Sequence, residues 1–257
     1  MAKQLAILHH GADIVVDAAP LDREAFVHFG DVIENPRPDL HPSAANRLAS
    51  VGQASLPLDG LVANQGSAIK YQHPTRMANF YDQAPSGRPG VAVVNMFVCA
   101  GRADIRSSER PVTFPISVLE RHPFTTQTFI PLTADPFKQY LVVVAPTLPP
   151  ANADQALPVP APGQADSASG RRLPGRGLPD LSRLRAFIAN AKQAVTYSAG
   201  TWHAPMVALG SAGIAVDFLV VQFANGVGIE DCQEVVLDSA AGGRITARLR
   251  APRPAKI

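Results

Sequence analysis

Short apolar runs bounded by turn residues dominate the hydrophobic pattern of this chain. The clearest are PGVAVVNMFVCAG at 89–101, KQYLVVVAP at 138–146 and AGIAVDFLVVQFAN at 212–225. Runs of this length, rich in valine and flanked by glycine, proline or asparagine, are typical of β-strands. The first is apolar enough to predict a strand buried on both faces, and the second predicts a buried strand. The stretch PISVLERHPFTTQTFIPL at 115–132 predicts two strands joined by a corner at RHPFT.

Two segments have the spacing of helices. Asp22 can cap a short helix that carries Phe26 and Phe29 and ends at Gly30. The clearer pattern is PDLSRLRAFIANAKQ at 179–193, which predicts a longer helix. Its expected cap is Asp180, and its expected apolar face consists of Leu181, Leu184, Phe187 and Ile188.

Many closely spaced strands with few helices predict an all-β fold, an antiparallel barrel or sandwich of the jelly-roll type. We expect one domain over residues 1–257, because barrels of this length are common as single units. Residues 147–179 are rich in proline, alanine and glycine and offer no apolar face. They predict a flexible insertion that leaves the core untouched. Barrels of this kind hold a small ligand at the mouth between their sheets.

The composition narrows the range of partners. The formal net charge is +2 and the basic residues are scattered, which argues against a nucleic-acid partner. No apolar stretch approaches the ~20 residues of a membrane span. The two cysteines lie far apart and no signal peptide is evident, so we expect an intracellular, cytoplasmic protein. The C-terminal Ala-Lys-Ile has the small, basic, aliphatic order of a peroxisomal import signal, the alternative being a solvated tail.

Two strand residues and a nearby glutamine can carry chemistry. Glu120 and His122 share one face of a strand because side chains alternate with a period of two. A carboxylate beside an imidazole can bind a metal or form a base with its orienting group, although a salt bridge at a strand end explains the pair equally well. Gln127 lies on the returning strand, and its amide needs a partner that a polar ligand or nearby backbone can supply.

The stretch TYSAGTWHAP at 196–205 contains the only tryptophan of the chain. Tyr197, Trp202 and His203 would suit a small polar substrate held against aromatic walls, while a packed corner of the core is the alternative. Gly200 would permit the turn that brings them to the mouth of the barrel.

A substrate carboxylate would need a cation, and three candidates stand near these segments. They are Arg121, Lys70 and Arg76. Arg76 lies in YQHPTRMANFYD at 71–82, which would also suit a structural arm or a dimer contact. GxSxG and HExxH motifs are absent from the sequence, so serine hydrolase and zinc peptidase chemistry lose support.

The stretches VLERHPFTTQTFIPL, YLVVVAP, PDLSRLRAFIANAKQAVTYSAGTWHAPMV and DFLVVQFANGVGIEDCQEV resemble the ureidoglycolate lyases of allantoin degradation. The opening LDREAFVHFGDVIE is similar too, and the likeness breaks only at the proline-rich segment and the tails. The resemblance, to the longer members of the family, implies a cupin-type barrel, a homodimer, and the conversion of ureidoglycolate to glyoxylate and urea.

The residues suit that reaction, which needs a base for the substrate hydroxyl and an acid for the departing urea nitrogen. We expect His122 and His203 to act on the substrate, Glu120 to orient an imidazole, and Gln127 to hold the urea amide. No cofactor is required, although His122, Gln127 and His203 could instead ligate a divalent metal. The alternatives are an amidohydrolase that releases ammonia and a non-catalytic cupin that binds a small acid.

Overall fold

A computed structural model describes residues 3–9, 11–42, 56–103, 111–161, 170–211, 213–238 and 243–250, with backbone alone for residues 3–9, 103 and 238. Its strands are β1 Lys3–His9, β2 Ile14–Pro20, β3 Gly30–Ile33, β4 Leu61–Ala63, β5 Ala68–Lys70, β6 Val91–Ala103, β7 Val112–Pro115, β8 Val118–Arg121, β9 Gln127–Pro131, β10 Gln139–Ala145, β11 Arg185–Asn190, β12 Ala194–Tyr197, β13 Trp202–His203, β14 Val207–Leu209, β15 Ala215–Ala224, β16 Gln233–Asp238 and β17 Ile245–Leu249. Its α-helices are α1 Arg23–Phe26 and α2 Gly228–Asp231, with 3₁₀ turns at Asn64–Gly66, Tyr81–Gln83, Asn152–Asp154 and Leu181–Arg183.

The predicted all-β fold is confirmed, and the chain forms a cupin-like barrel with short helices at its periphery. One hydrogen-bonded path runs β1-β16-β8-β13-β10-β14-β6-β15-β9-β12-β3, and the hairpin β4–β5 lies apart from it. Strand β17 pairs with β2 and β7. This small group packs on the outside of the barrel, because Phe114, Ile245 and Leu249 share a core with Leu119 and Trp202.

Strand β10 pairs with β11 on one side and with β13 and β14 on the other, and it is buried, as predicted. Leu141 and Val143 join the outer core, whereas Val142 and Val144 join the core inside the barrel. Alternate side chains of this one strand therefore pack into two separate cores. The corner at residues 121–125 is also confirmed, since it joins β8 to β9. In the described part of the chain, no helix is long and apolar enough to span a membrane.

The helix predicted at 179–193 is wrong. Asp180 does cap a turn, accepting the N–H of Ser182 at 3.1 Å, but that turn ends at Arg183. Residues 185–190 then form β11, which pairs with β10 on one side and β2 on the other. The backbone hydrogen bonds offered by two neighbouring strands outweigh a helical apolar spacing. The short helix at Asp22 is confirmed as α1, with the Asp22 carboxylate accepting two backbone N–H groups, although the helix ends at Phe26 and Gly30 begins β3.

The prediction that β6 is buried on both faces is also wrong. Val94, Met96 and Val98 are 61%, 58% and 69% exposed. Strand β15 pairs with β6 along residues 91–100, while β14 pairs only at Gly101 and Ala103. Among the described residues, most of the second edge of β6 therefore has no neighbour, and an apolar strand is left at the surface.

Residues 147–179 are not separate from the core. Near its end, the main-chain oxygens of residues 175–177 accept hydrogen bonds from the buried guanidinium of Arg121. Nearer its start, Asp154 and Leu157 are buried. The expectation that this segment leaves the core untouched is therefore wrong for its described parts, and residues 162–169 lie outside the described residues. A proline- and glycine-rich chain lacks an apolar face but still has carbonyl groups that a buried cation can bind.

Candidate active site

Three titratable side chains meet inside the barrel, Glu120, His122 and His203, and we call these three residues the cluster. Glu120 on β8 lies opposite His203 on β13 in the strand register, and His122 follows β8 on the same face as Glu120. The ring centres of His122 and His203 are 5.6 Å apart. The structure thus brings together the two histidines that the sequence placed 81 residues apart along the chain (203 minus 122).

His203 is held rigidly and is almost completely buried. Its Nδ1 lies 2.8 Å from the main-chain oxygen of Thr201. A carbonyl oxygen can only accept, so Nδ1 carries the hydrogen and Nε2 presents a lone pair when the ring is neutral. Burial, followed by the neighbouring His122, lowers the pKa of His203 to about 3, against a smaller opposing effect of the Thr201 carbonyl. His203 is therefore neutral at physiological pH.

His122 is bound in the same way. Its Nδ1 lies 2.6 Å from the main-chain oxygen of Asp231, which fixes the hydrogen on Nδ1. Burial lowers the pKa of His122, opposed by its hydrogen bond to Asp231, by the Asp231 carboxylate and by the nearby side chain of Gln127, which does not reach hydrogen-bond geometry with the ring. Its Nε2 atom is buried and has no hydrogen-bond partner among the described residues. An unpartnered buried lone pair is costly unless a ligand uses it, which makes Nε2 of His122 the most informative atom of the site.

Glu120 completes the group. Its Oε1 lies 3.6 Å from Nε2 of His203, at ion-pair distance. The contact is not an ion pair, because burial keeps the imidazole neutral. Burial, and next the carboxylate of Glu234, raise the pKa of Glu120 to about 7. Glu120 can therefore hold a proton near neutral pH, as a general acid must.

Gln127 and Tyr197 surround His203. The Gln127 side chain donates from its Nε2 to Oε1 of Gln222 at 2.7 Å, and its Oε1 lies 3.2 Å from Nε2 of His203. Because Nε2 of a neutral His203 is an acceptor, that second contact is a hydrogen bond only with the amide turned so that its NH₂ faces the ring. The Tyr197 ring stacks on the His203 ring with centres 4.0 Å apart and planes 11° from parallel. Burial raises the pKa of the Tyr197 hydroxyl, which stays protonated. Both predicted residues therefore line the cluster of Glu120, His122 and His203.

Arg121 and Trp202 do not belong to it, although both were predicted there. Each projects from the face of its strand that points away from the cluster. There the Arg121 guanidinium lies 4.4 Å from the Trp202 ring centre. Arg121 also donates to Gln233 at 2.8 Å, and the Trp202 indole donates to the oxygen of Gly177 at 3.1 Å. The side-chain alternation that unites Glu120 with His122 directs Arg121 the other way.

The other two predicted cations are also outside the cluster. Lys70 ends β5 in the separate hairpin, Arg76 lies in the segment before the Tyr81 turn, and both side chains are exposed. Among the described residues, no lysine or arginine forms an ion pair with Glu120, and its pKa has no contribution from a cation.

The cluster also fits a divalent metal. Glu120, His122 and His203 each offer one ligand atom, and these atoms lie within 4.8 Å of one another. Imidazoles whose Nδ1–H groups bond to carbonyls are oriented as metal ligands usually are, and the unpartnered Nε2 of His122 is consistent with that use. A metal there would polarise the oxygens of a bound substrate.

A cavity of about 1020 Å³ lies elsewhere, between β2, β11 and residues 171–174. Ser198, Ala199 and Thr201 line it, but none of the three clustered residues does. The turn at 198–201, held by the N–H of Gly200 on the oxygen of His122 at 2.8 Å, separates the two. Gly200 has a φ of 79°, so the predicted need for glycine at this turn is confirmed.

Sequence reasoning missed several neighbours of the cluster. The main-chain oxygens of Thr201 and Asp231 orient the imidazoles, and no side-chain pattern identifies a carbonyl that does this. Gln222 was hidden in an apolar strand. The Cys232 thiol lies 4.0 Å from Glu120, and burial, with that carboxylate next, raises its pKa to about 12, so it is not a nucleophile at neutral pH.

Comparison with known proteins places this geometry in context. The family model described as Ureidoglycolate lyase matches residues 13–242, which include the whole cluster. The ureidoglycolate lyase of Schizosaccharomyces pombe is 34% identical over 217 residues, covering 84% of this chain and 88% of that protein. That of Saccharomyces cerevisiae is 32% identical over 203 residues, covering 77% and 80%. A third relative, from Burkholderia mallei, is 31% identical over 202 residues, covering 79% and 78%.

Proposed function

The chain belongs to the ureidoglycolate lyase family, and from that premise we propose that it eliminates urea from ureidoglycolate to leave glyoxylate, a step of allantoin catabolism. The observation that carries the proposal is the buried Nε2 of His122, which has no partner among the described residues and adjoins Glu120 and His203. The elimination requires a proton acceptor and a proton donor. Nε2 of His122 is free to accept a proton, and the neighbouring Glu120, whose pKa is raised to about 7, can donate one.

The substrate carbon carries a hydroxyl, a carboxylate, a hydrogen and the urea nitrogen. Nε2 of His122 accepts the hydroxyl proton while the C–O bond becomes a carbonyl. The C–N bond breaks, its electron pair passes to nitrogen, and protonated Glu120 supplies the proton that completes urea. No covalent intermediate forms. Each positioned proton transfer contributes roughly 10²–10⁴ in rate.

His203 and Gln127 hold the site in shape around these groups. The neutral imidazole of His203, stacked on Tyr197, is a rigid wall of the site, and its Nε2 faces both Glu120 and the Gln127 amide. Gln127 is suited to hydrogen-bond the urea portion of the substrate, as an amide can both donate and accept. Arg121 and Trp202 have no direct role in this scheme, because they lie on the other side of the strands.

The test is to incubate purified protein with ureidoglycolate and to measure urea, glyoxylate and ammonia together. We expect urea and glyoxylate in equal amounts and no ammonia. Release of ammonia would indicate an amidohydrolase, and absence of turnover would indicate a binding protein. Repeating the assay after treatment with a chelator, and after adding divalent metals back, tests whether the cluster works with a metal.

We expect the enzyme to be a homodimer that pairs through β6. Residues 91–100 carry no charge, and Val94, Met96 and Val98 project from the surface. A two-fold axis brings a strand beside its own copy in antiparallel orientation, so one free apolar edge can serve both chains. Sedimentation equilibrium should give the mass of two chains. Val98→Lys should give one, whereas Val15→Lys, at another exposed valine, should not.

The C-terminal Ala-Lys-Ile lies outside the described residues. We propose that the enzyme works inside the cell and that this tripeptide can direct it to peroxisomes where a cell has them. A fluorescent protein fused ahead of the last ten residues should then colocalise with a peroxisomal marker. Diffuse fluorescence, equal to that of a fusion without the tripeptide, would reject the peroxisomal part.

A further inference from the structure

We propose that Tyr81 is a positioning residue for His122, acting through Asp231. The inference rests on the proposed function insofar as His122 is the base of the reaction. It concerns how one nitrogen of that imidazole is kept free and directed into the site, and the residues involved lie outside the cluster.

The link begins at the His122 ring. Its Nδ1 hydrogen points at the main-chain oxygen of Asp231, 2.6 Å away, so the position of that oxygen determines which way Nε2 faces. Asp231 is the last residue of α2, a single helical turn. A turn this short has little stability of its own, and its orientation depends on contacts with the rest of the protein.

The Asp231 side chain supplies those contacts. Its carboxylate accepts the Tyr81 hydroxyl at 2.7 Å and the backbone N–H groups of Asn225 and Gly226 at 2.8 and 2.9 Å. It therefore closes the loop that leads from β15 into α2. Tyr81 is the only side chain among these three donors, and it reaches the carboxylate from a distant segment.

Tyr81 is well placed to act as an anchor. It is 1% exposed, and its ring packs against Phe124, with ring centres 5.7 Å apart. Phe124 belongs to the same corner as His122, two residues away. Tyr81 thus contacts both sides of the Asp231–His122 hydrogen bond, the corner through its ring and the turn through its hydroxyl. A shift of either partner would lengthen that bond.

A neighbouring contact provides a matched control. Glu230 accepts the hydroxyl and the N–H of Ser86 at 2.6 and 2.9 Å, which ties α2 to the same 81–90 segment. Ser86→Ala therefore removes a hydroxyl–carboxylate bond of similar length between the same two segments without touching Asp231. Tyr81→Phe removes only the hydroxyl that reaches Asp231. A purely structural role predicts the same result for both variants.

The direct experiment is ¹⁵N NMR of histidine-labelled protein without substrate, with His122 assigned by its absence in His122→Asn. In the unmodified protein we expect His122 to carry its hydrogen on Nδ1. In Tyr81→Phe we expect a mixture of tautomers, and in Ser86→Ala the unmodified pattern. Because this measurement involves no turnover, it tests the positioning of His122 separately from the proposed reaction.

Kinetics supply the second readout. In Tyr81→Phe we expect kcat for urea release to fall roughly tenfold to a hundredfold, with KM little changed, as for other residues that orient a site group from behind. Ser86→Ala should keep both constants. Equal ¹⁵N patterns and equal kcat in the two variants would overturn the proposal. If Tyr81→Phe does not fold, Asp231→Ala, which removes the carboxylate that accepts the Tyr81 hydroxyl but keeps the main-chain oxygen that faces His122, is tested against the same expectations.

Discussion

Glu120 and His122 project from one face of β8 and Arg121 from the other, and β13 repeats the division with His203 and Trp202. Both faces are buried and both carry nitrogen-rich side chains. On the outer face Arg121 and Trp202 donate to protein oxygens and lie against each other. On the inner face, Nε2 of His122 has no partner among the described residues. Burial of polar groups does not by itself mark chemistry. In the same part of the chain, single unpartnered atoms are also buried at Arg23, Tyr71, Thr147 and Asp154, so what distinguishes Nε2 of His122 is that it adjoins Glu120 and His203.

The charge of the two faces differs as well. Burial lowers the pKa of Arg121 to about 9, and it stays charged at neutral pH because four protein oxygens accept its hydrogens. Burial of the imidazoles leaves them neutral, and burial of Glu120 raises its pKa to about 7. The outer face therefore fixes a charge for stability, while the inner face holds groups that can exchange protons.

Arg121 gives the strongest test of the difference between the outer and inner faces. Arg121→Met should lower the free energy of unfolding by about 3 to 5 kcal/mol, because it leaves several buried carbonyls without donors. The kcat of the protein that remains folded should stay close to the unmodified value. Urea denaturation measures the first and a urea-release assay the second. Arg183→Met, at an exposed arginine, is the control, and a loss below about 1 kcal/mol at Arg121 would mean that the outer face is not held by this network.

At His122 the opposite pattern is expected. His122→Asn keeps a donor for the oxygen of Asp231 but removes the free lone pair, so kcat/KM should fall a hundredfold or more, about 2.7 kcal/mol of barrier. The unfolding free energy should change little. His28→Asn, at an exposed histidine, is the kinetic control. Full activity in His122→Asn would remove His122 from the mechanism.

Trp202→Phe tests whether the outer face contributes to stability and not to substrate binding. It deletes the indole N–H that reaches the oxygen of Gly177 and reduces the ring beneath Arg121, so stability should fall by about 1 to 2 kcal/mol. The substrate constants should not change, since the indole lies behind the strands. A raised KM with normal stability would show instead that Trp202 contacts the substrate.

The smallest expected effect is the change with pH in the free energy of unfolding that His203 causes. An unfolded His203 takes up a proton below about pH 6.5. In the folded protein its pKa is about 3, so the unfolded state binds more protons and stability falls as the pH falls. Between pH 6.5 and 5.5 the loss from this group is about 1 kcal/mol. Denaturation curves at both values should show this loss relative to His203→Asn, and parallel behaviour of the two proteins would contradict a neutral buried His203.

Some features of the site can be predicted from the sequence alone and others cannot. The period-two alternation of a strand put Glu120 and His122 on one face, and glycine at position 200 indicated the turn before His203. The same alternation, applied to Arg121, would have excluded it from the cluster. The carbonyls of Thr201 and Asp231 could not be found in this way, because every residue has one and only folding selects which carbonyl meets an imidazole.

The sequence by itself determined the all-β class, the strands β8, β9 and β10 and the capped turn at Asp22, since these depend on local spacing and on apolar residues within a few positions. Tertiary structure decided that residues 185–190 form a strand, because β10 and β2 offered hydrogen-bonding edges to them. It also left β6 at the surface and bound residues 175–177 to Arg121. Burial and hydrogen-bond partners are properties of neighbours brought together by folding, and local spacing along the chain does not contain them.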